Sequence, residues 1–337
     1  MPIKERLIKA YEMMRSAHRI LLVAHLRPDG DALSSLAALR LIALSLGKEV
    51  FVFAKDKNKE LFDYLPGFTE IEGDYDNLQK AGAWRERFDL IIVADCGSLA
   101  RTALADEIKD FQKQGGKVME FDHHPPVDDY ADLEIRYPDL SSTSELIYNF
   151  IVANKITFTR ELADCVLTGI LTDTGNFLYP SAGDATMRAS SAALEAGAHY
   201  AKIVNYTLHN KDMVMIRLWG LALERLHLNT RYQIASSVLT RADINKITGV
   251  KNMDSAAESD LFSGLAGFLS NVAGVKAIML LYEDQQGMIK GSLRSTPGGF
   301  LVDKLARALG GGGHERAAGF ALAGKLEKRA KSWVVIN

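Results

Sequence analysis

Four short runs, RILLVAH at 19–25, EVFVFA at 49–54, DLIIVAD at 89–95 and GKVMEFD at 116–122, are apolar at nearly every central position. A strand with one wet face alternates apolar and polar residues, so runs like these belong in a sheet covered on both sides. Between and after them lie stretches of helical pattern, at 31–46, 145–153, 161–171 and 184–196. Strands separated by helices predict an α/β fold, a mainly parallel sheet flanked by helices.

At 337 residues the chain is long for a single core, and two domains are expected. The α/β pattern occupies residues 1–200, and 201–225 reads as a helical connector with a hinge. Residues 226–337 form a smaller α+β domain. Its expected elements are a strand at 233–240, a helix at 257–272, a hairpin of 275–282 with 288–293 around Gln286-Gly287, and a helix at 299–309. A formal net charge of −2 argues against a surface built to coat nucleic acid, while leaving room for a local basic groove. The two cysteines, Cys96 and Cys165, stand in no CxxC spacing, which fits a reducing cytoplasm. The N-terminus is charged and has no apolar leader, and the stretch at 32–53 is too polar for a membrane span. The expectation is a cytoplasmic protein with no membrane partner.

The ends of the apolar runs carry the chemistry. The first leads into His25-Leu26-Arg27-Pro28-Asp29-Gly30-Asp31, the third ends at Asp95, and the fourth at Asp122-His123-His124. Asp173, in Thr172-Asp173-Thr174-Gly175, follows a buried helical run. Ligands of open parallel sheets bind outside the carboxyl ends of the strands, so these segments converge on one edge. Each alone has a plain explanation: Pro-Asp-Gly is a turn sequence, Asp95 could cap a helix, and a lone His is more often structural. Together they bring more carboxylates to one place than can remain ionised without counter-charge. Two divalent cations answer that, and oxygen donors with a few imidazoles suit Mn²⁺ or Mg²⁺. Such a pair activates water and clamps a phosphate in line, the chemistry of a phosphoester hydrolase. Farther on, the glycines at 310–313 precede His314. They read either as a helix stop or as a backbone nest for an anion, with Arg294 as a bidentate phosphate clamp.

These motifs resemble the DHH/DHHA1 phosphoesterase superfamily, most closely its branch of short-oligoribonucleases and pAp phosphatases. The resemblance runs through HLRPDGDA at 25–32, Asp95, Asp122-His123-His124, Thr172-Asp173-Thr174-Gly175, and GGGH with AAGF at 311–320. It implies a DHH catalytic domain followed by a DHHA1 substrate-binding domain, with the site in the cleft between them. It implies His25, Asp29, Asp31, Asp95, His123 and Asp173 as ligands of two divalent metal ions, Mn²⁺ first, with Mg²⁺ or Co²⁺ as alternatives. Asp31 and Asp95 would be shared carboxylates, and His124 would act with Asp95 in catalysis by facing the substrate phosphate. Asp122 would support its histidine neighbours. Arg294, His314 and the backbone of Gly311, Gly312 and Gly313 would hold a more distant phosphate. The implied substrates are short RNA or single-stranded oligonucleotides and pAp, with monomer or homodimer left open. Two other readings stand beside it: a stand-alone phosphodiesterase for linear or cyclic dinucleotides such as pApA or c-di-AMP, and a non-catalytic nucleotide-binding regulator. Pro125-Pro126-Val127-Asp128 and Cys96 depart from the common pattern and bear on substrate preference.

Overall fold

The computed structural model describes residues 2–56, 61–79, 84–208, 211–250, 258, 261–262, 264–296, 298–313, 315–329 and 332–336. The chain divides into two units, one of Met1–Phe177 with Ser181–Asn210, the other of Leu178–Pro180 with Lys211–Asn337.

The apolar runs become strands within a residue or two of their expected limits. In the first unit these are β1 (Arg19–Val23), β2 (Glu49–Phe53), β3 (Ile71–Glu72), β4 (Leu90–Ala94), β5 (Lys117–Asp122) and β6 (Leu133–Arg136). They form one sheet in the order β3-β2-β1-β4-β5-β6, with every neighbouring pair parallel. The order reverses between β1 and β4, which opens a crevice at their carboxyl ends. The helices are α1 (Ile3–Ser16), α2 (Gly30–Ser45), the short α3 (Tyr75–Gln79) and α4 (Trp84–Arg87), α5 (Ala105–Lys113), α6 (Thr143–Ala153), α7 (Arg160–Asp173), α8 (Asp184–Glu195) and α9 (Tyr200–Thr207).

Strand residues alternate between two cores, because successive side chains point to opposite faces. Ile20, Leu22, Ile92, Met119 and Phe121 pack on one side with α1, α2, α6 and α7. Leu21, Val23, Ile91, Val93 and Val118 pack on the other with Phe88, Ile108 and Phe111. Helix α2 is buried almost all round, which explains why residues 32–53 look apolar. Among the described residues, no helix is long and apolar enough to cross a membrane.

The second unit is α+β, as expected. It holds α10 (Met213–Glu224), β7 (His227–Asn229), β8 (Ile234–Leu239), α11 (Arg241–Thr248), α12 (Leu265–Leu269), β9 (Ala277–Glu283) and β10 (Met288–Ser295). After these come α13 (Asp303–Ala308), β11 (Gly312–Gly313), β12 (Ala317–Ala323), β13 (Lys325–Arg329) and β14 (Ser332–Ile336). A second sheet runs β11-β12-β10-β9-β8-β7, and β13 pairs with β14 alone. The β9–β10 hairpin turns at Gly287, whose left-handed backbone (φ 76) suits glycine. α12 covers part of the helix expected at 257–272 and starts after Gly264 (φ 78); Glu258 and Leu261 are helical as well, and residues 257, 259–260 and 263 lie outside the described residues.

Candidate metal centre

The segment after β1 turns into α2 through Asp29, the N-cap, whose Oδ1 accepts from the Ala32 N–H at 3.0 Å. The turn reading of Pro-Asp-Gly therefore holds locally, and it leaves the second carboxylate oxygen of Asp29 4.0 Å from His25 Nε2. Gly30 is required by packing, since a Cβ there would stand 2.4 Å from the Thr172 side chain of α7. Asp31 lies in the first turn of α2 and is buried. Its Oδ2 accepts from the Thr143 N–H at 2.6 Å and its Oδ1 from the Ser144 N–H at 2.9 Å. Both donors are otherwise unpaired amides of the α6 N-terminus, a natural anion seat. Gly169 on α7 makes room for this arrangement, because a Cβ would come within 1.9 Å of Ser144 Oγ and 2.4 Å of Asp31 Oδ1.

Asp95 follows β4 in the left-handed region (φ 60), where a residue with a Cβ is strained. No helix starts at Asp95, so it is not a cap. Its N–H donates to Phe121 O, and its buried Oδ1 accepts from Thr143 Oγ1 at 2.8 Å. The same oxygen is 3.6 Å from His123 Nε2 and 3.6 Å from His124 Nδ1. Asp173, the last residue of α7, lies 3.4 Å from His123 Nε2.

The histidines are oriented through their other nitrogens. His25 Nδ1 pairs with Leu26 O at 2.7 Å, His123 Nδ1 with Leu140 O at 3.3 Å, and His124 Nδ1 with Asp122 Oδ1 at 2.7 Å. Nδ1 is assigned the proton from these partners, which leaves Nε2 as the acceptor nitrogen, the usual arrangement around a metal. Asp122 does not join the cluster; besides the His124 ring it accepts from the backbone N–H groups of His124 and Gly97. Burial pushes Asp122 up, but those hydrogen bonds outweigh it and hold the carboxyl at about 2.

Burial raises Asp95 well above the usual carboxylate range, and the charges of Asp31, Asp29, Asp122 and Asp173 add to it. Asp31 is raised by burial too, against the pull of His123 and Ser144. Burial lowers His25, whereas in His123 the surrounding Asp173, Asp31 and Asp122 outweigh burial and raise it. The site is short of positive charge. Seven side chains gather into three overlapping groups, each with donor atoms within 4.8 Å of one another: His25-Asp29-Asp95, Asp95-His123-His124 and Asp31-His123-Asp173. Oxygen and imidazole donors, oriented lone pairs and uncompensated carboxylates all fit divalent cations. All six expected ligands meet here, along with His124; Asp95 and His123 each belong to two groups, and Asp31 to one.

Sequence reasoning missed Thr143 and Ser144. Their signal was there, in the Ser-Ser-Thr-Ser-Glu run at 141–145, but a hydroxyl-rich helix start reads as an ordinary cap.

In the second unit Arg294 sits on β10, paired across the sheet with Ala317 and Ile278, and its Nη1 donates to Leu293 O. Gly310 ends α13 with a left-handed backbone (φ 77). Gly311 and Gly313 lie so close to β12 that a Cβ would meet Gly319 O at 2.0 Å and Ala318 Cα at 2.6 Å. Gly312 differs, since a Cβ there would meet open space. His314 lies outside the described residues.

The family profile "DHH family, N-terminal domain" matches residues 19–170, and the DHHA1 domain matches 244–333. The bifunctional oligoribonuclease and PAP phosphatase NrnA of Bacillus subtilis (strain 168) is 30% identical over 308 residues, covering 90% of this chain and 89% of the relative. The protein of the same name from Thermus thermophilus is 27% identical over 305 residues, covering 90% and 84%. Among solved structures, an exopolyphosphatase-related protein from Bacteroides fragilis matches with a TM-score of 0.80 at 27% identity, covering 95% of this chain and 92% of that one. With both domains matched in order and a relative 30% identical across nine-tenths of its length, the chain belongs to the DHH/DHHA1 phosphoesterase superfamily.

Proposed function

We propose that this protein is a metal-dependent phosphoesterase that hydrolyses short oligoribonucleotides to mononucleotides and pAp to AMP. The observation that carries the reading is the convergence of His25, Asp29, Asp31, Asp95, His123, His124 and Asp173, within a chain related over 90% of its length to an oligoribonuclease and PAP phosphatase. The first unit is the catalytic domain and the second selects the substrate.

His25, Asp29 and Asp95 would hold one divalent ion, and Asp31, His123 and Asp173 with Asp95 a second, with Mn²⁺ the preferred metal. When bound, the pair supplies Lewis-acid stabilisation of phosphate charge and lowers the pKa of the attacking water. The protein's own part is positional. Thr143 and the α6 amides keep Asp95 and Asp31 turned inward, and Asp122 fixes the His124 ring, whose imidazolium form would donate from Nε2 to a phosphate oxygen. Phosphate esters are among the slowest bonds to hydrolyse, so a prearranged electrostatic site is what this reaction asks for. Arg294 and the backbone at Gly311, Gly312 and Gly313 bind the substrate away from the bond that breaks, with His314 assigned there by resemblance alone. Gly312 supports this best, because no packing constraint calls for glycine at that position.

The intact donor set speaks against a non-catalytic regulator. Whether pApA or a cyclic dinucleotide competes with RNA is decided by the same assay as the main reading. Manganese-loaded protein is offered dinucleotide and trinucleotide RNA, pAp, pApA and c-di-AMP, alongside an Asp95→Ala variant. The wild type should cleave the short RNAs and pAp. The variant should lose roughly 10³-fold or more, since the metals supply several kcal/mol of barrier lowering. Failure of the wild type on every short nucleotide, or full activity in Asp95→Ala, would overturn the proposal.

A further inference from the structure

Arg101 carries a positive charge to the rim of this carboxylate-rich centre and, among the described residues, pairs with no carboxylate. It lies in a 3-10 turn at Leu99–Thr102, which residues 95–98 join to β4. Its own carbonyl accepts from the Leu26 N–H at 2.7 Å, which ties the turn to the segment after β1. Its Nη1 donates to Cys96 O at 3.0 Å, next in sequence to Asp95. Between Arg101 and His124 lies Gly97, in the left-handed region (φ 67). A Cβ on Gly97 would stand 3.3 Å from Arg101 Nη1 and 3.4 Å from His124 Cγ, so guanidinium and imidazole flank one bare stretch of backbone. The Arg101 charge also reaches His25, where it adds to the lowering that burial produces.

Five aspartates surround this corner, yet among the described residues none lies within ion-pair distance of the Arg101 guanidinium. The residue is exposed, and of its five N–H donors one is bound to Cys96 O. A planar fork of donors matches two oxygens of a phosphate. An exposed guanidinium also offsets the repulsion that a phosphate anion would feel on approaching so many carboxylates.

We propose that Arg101 binds the non-bridging oxygens of the substrate's reacting phosphate, beside His124. The ligand class is a phosphate monoester or diester, and Gly97 is bare so that the phosphate reaches both side chains. This rests on the phosphoesterase reading, and the test separates the two. AMP, which keeps the reacting phosphate when an oligoribonucleotide is cleaved to 5′-mononucleotides, is titrated calorimetrically into manganese-loaded wild type, Arg101→Gln and Arg101→Lys, and Mn²⁺ is titrated into the metal-free forms. Arg101→Gln should weaken AMP by roughly 10- to 100-fold, the size expected for hydrogen bonds between charged groups. Arg101→Lys should recover part of that, and Mn²⁺ affinity should stay within about twofold of wild type. Unchanged AMP affinity in Arg101→Gln would overturn the proposal. So would a parallel loss of Mn²⁺ affinity, which would make Arg101 a support of the cluster. Arg101-dependent AMP binding without turnover of RNA or pAp would instead sink the hydrolase reading and leave the phosphate site standing.

Discussion

The two units hold their candidate residues in opposite ways. In the first, the buried carboxylates are fixed by the protein itself: Asp31 by two backbone amides, Asp95 by a threonine hydroxyl, and Asp122 by Gly97 and His124. In the second, Arg294 is half-buried on a strand, and Gly312 and Gly313 are exposed. The contrast fits the two tasks proposed for the units. Groups that align reacting atoms lose orders of magnitude when misplaced by about 1 Å, so they are built on buried elements with supporting hydrogen bonds. Groups that grip a flexible substrate at a distance from the reaction tolerate looser support.

The largest test of that contrast is Arg136. It lies on β6 and bonds Glu120 of β5 through Nε at 3.0 Å and Nη2 at 2.7 and 2.6 Å, and both side chains are buried. Burial pushes Glu120 up to about 7 against the pull of Arg136, and Tyr130 donates to the same carboxylate at 2.7 Å. Arg136→Met leaves Glu120 buried without its cation, at an expected cost of about 3–5 kcal/mol in urea unfolding. Pairing it with Glu120→Leu should restore most of that loss. A cost below about 1 kcal/mol would mean that the strand ending at Asp122, just before His123, is not braced in this way.

A smaller effect, aimed at the metals rather than the fold, comes from Thr143→Val. The change keeps the backbone amide that serves Asp31 and removes the hydroxyl that serves Asp95. Loss of such a supporting partner typically costs 10- to 100-fold in metal affinity or activity, and calorimetric Mn²⁺ titration should show a drop of that size. Thr143→Ser should bind like the wild type. Equal affinity in the valine variant would show that Asp95 needs no help to hold its orientation.

These supports mark where sequence reading ran out. The strands at 19–23, 49–53, 90–94 and 117–122 were legible because each is apolar on both faces, and the acids and histidines after them stand out by contrast. Thr143 was not legible, because its partner Asp31 is 112 positions away and only the fold brings them together. β6, Leu-Glu-Ile-Arg, has the composition of an exposed segment until Glu120 and Tyr130 complete its buried face. Arg101 has no sequence signal that sets it apart from the other arginines of the chain. In the second unit β12 is a run of Ala and Gly with low strand preference, whose close packing on β11 and β10 depends on that smallness. Periodicity reports burial within an element. It does not report which distant side chain completes the site.

The smallest effect belongs to Arg294, and it bears most directly on the division of labour. β10 alternates strictly, with Lys290, Ser292 and Arg294 on its less buried face and Ile289, Gly291 and Leu293 on the buried one. Arg294 lies on the less buried face, and Arg294→Ala should unfold at nearly the wild-type temperature. If its guanidinium holds substrate away from the reacting phosphate, the interaction is equally strong before and during bond cleavage. Loss of such uniform binding raises KM and leaves kcat in place. A rise in KM of about tenfold on dinucleotide RNA, with kcat within about threefold, is the expected outcome for one charged hydrogen-bonding group. Arg294→Lys should recover little, because a point charge cannot reproduce a two-pronged contact. A fall in kcat as large as the rise in KM would mean that Arg294 strengthens its hold in the transition state. The second unit would then share in the chemistry, and the contrast between a rigid catalytic unit and an adaptable binding unit would fail.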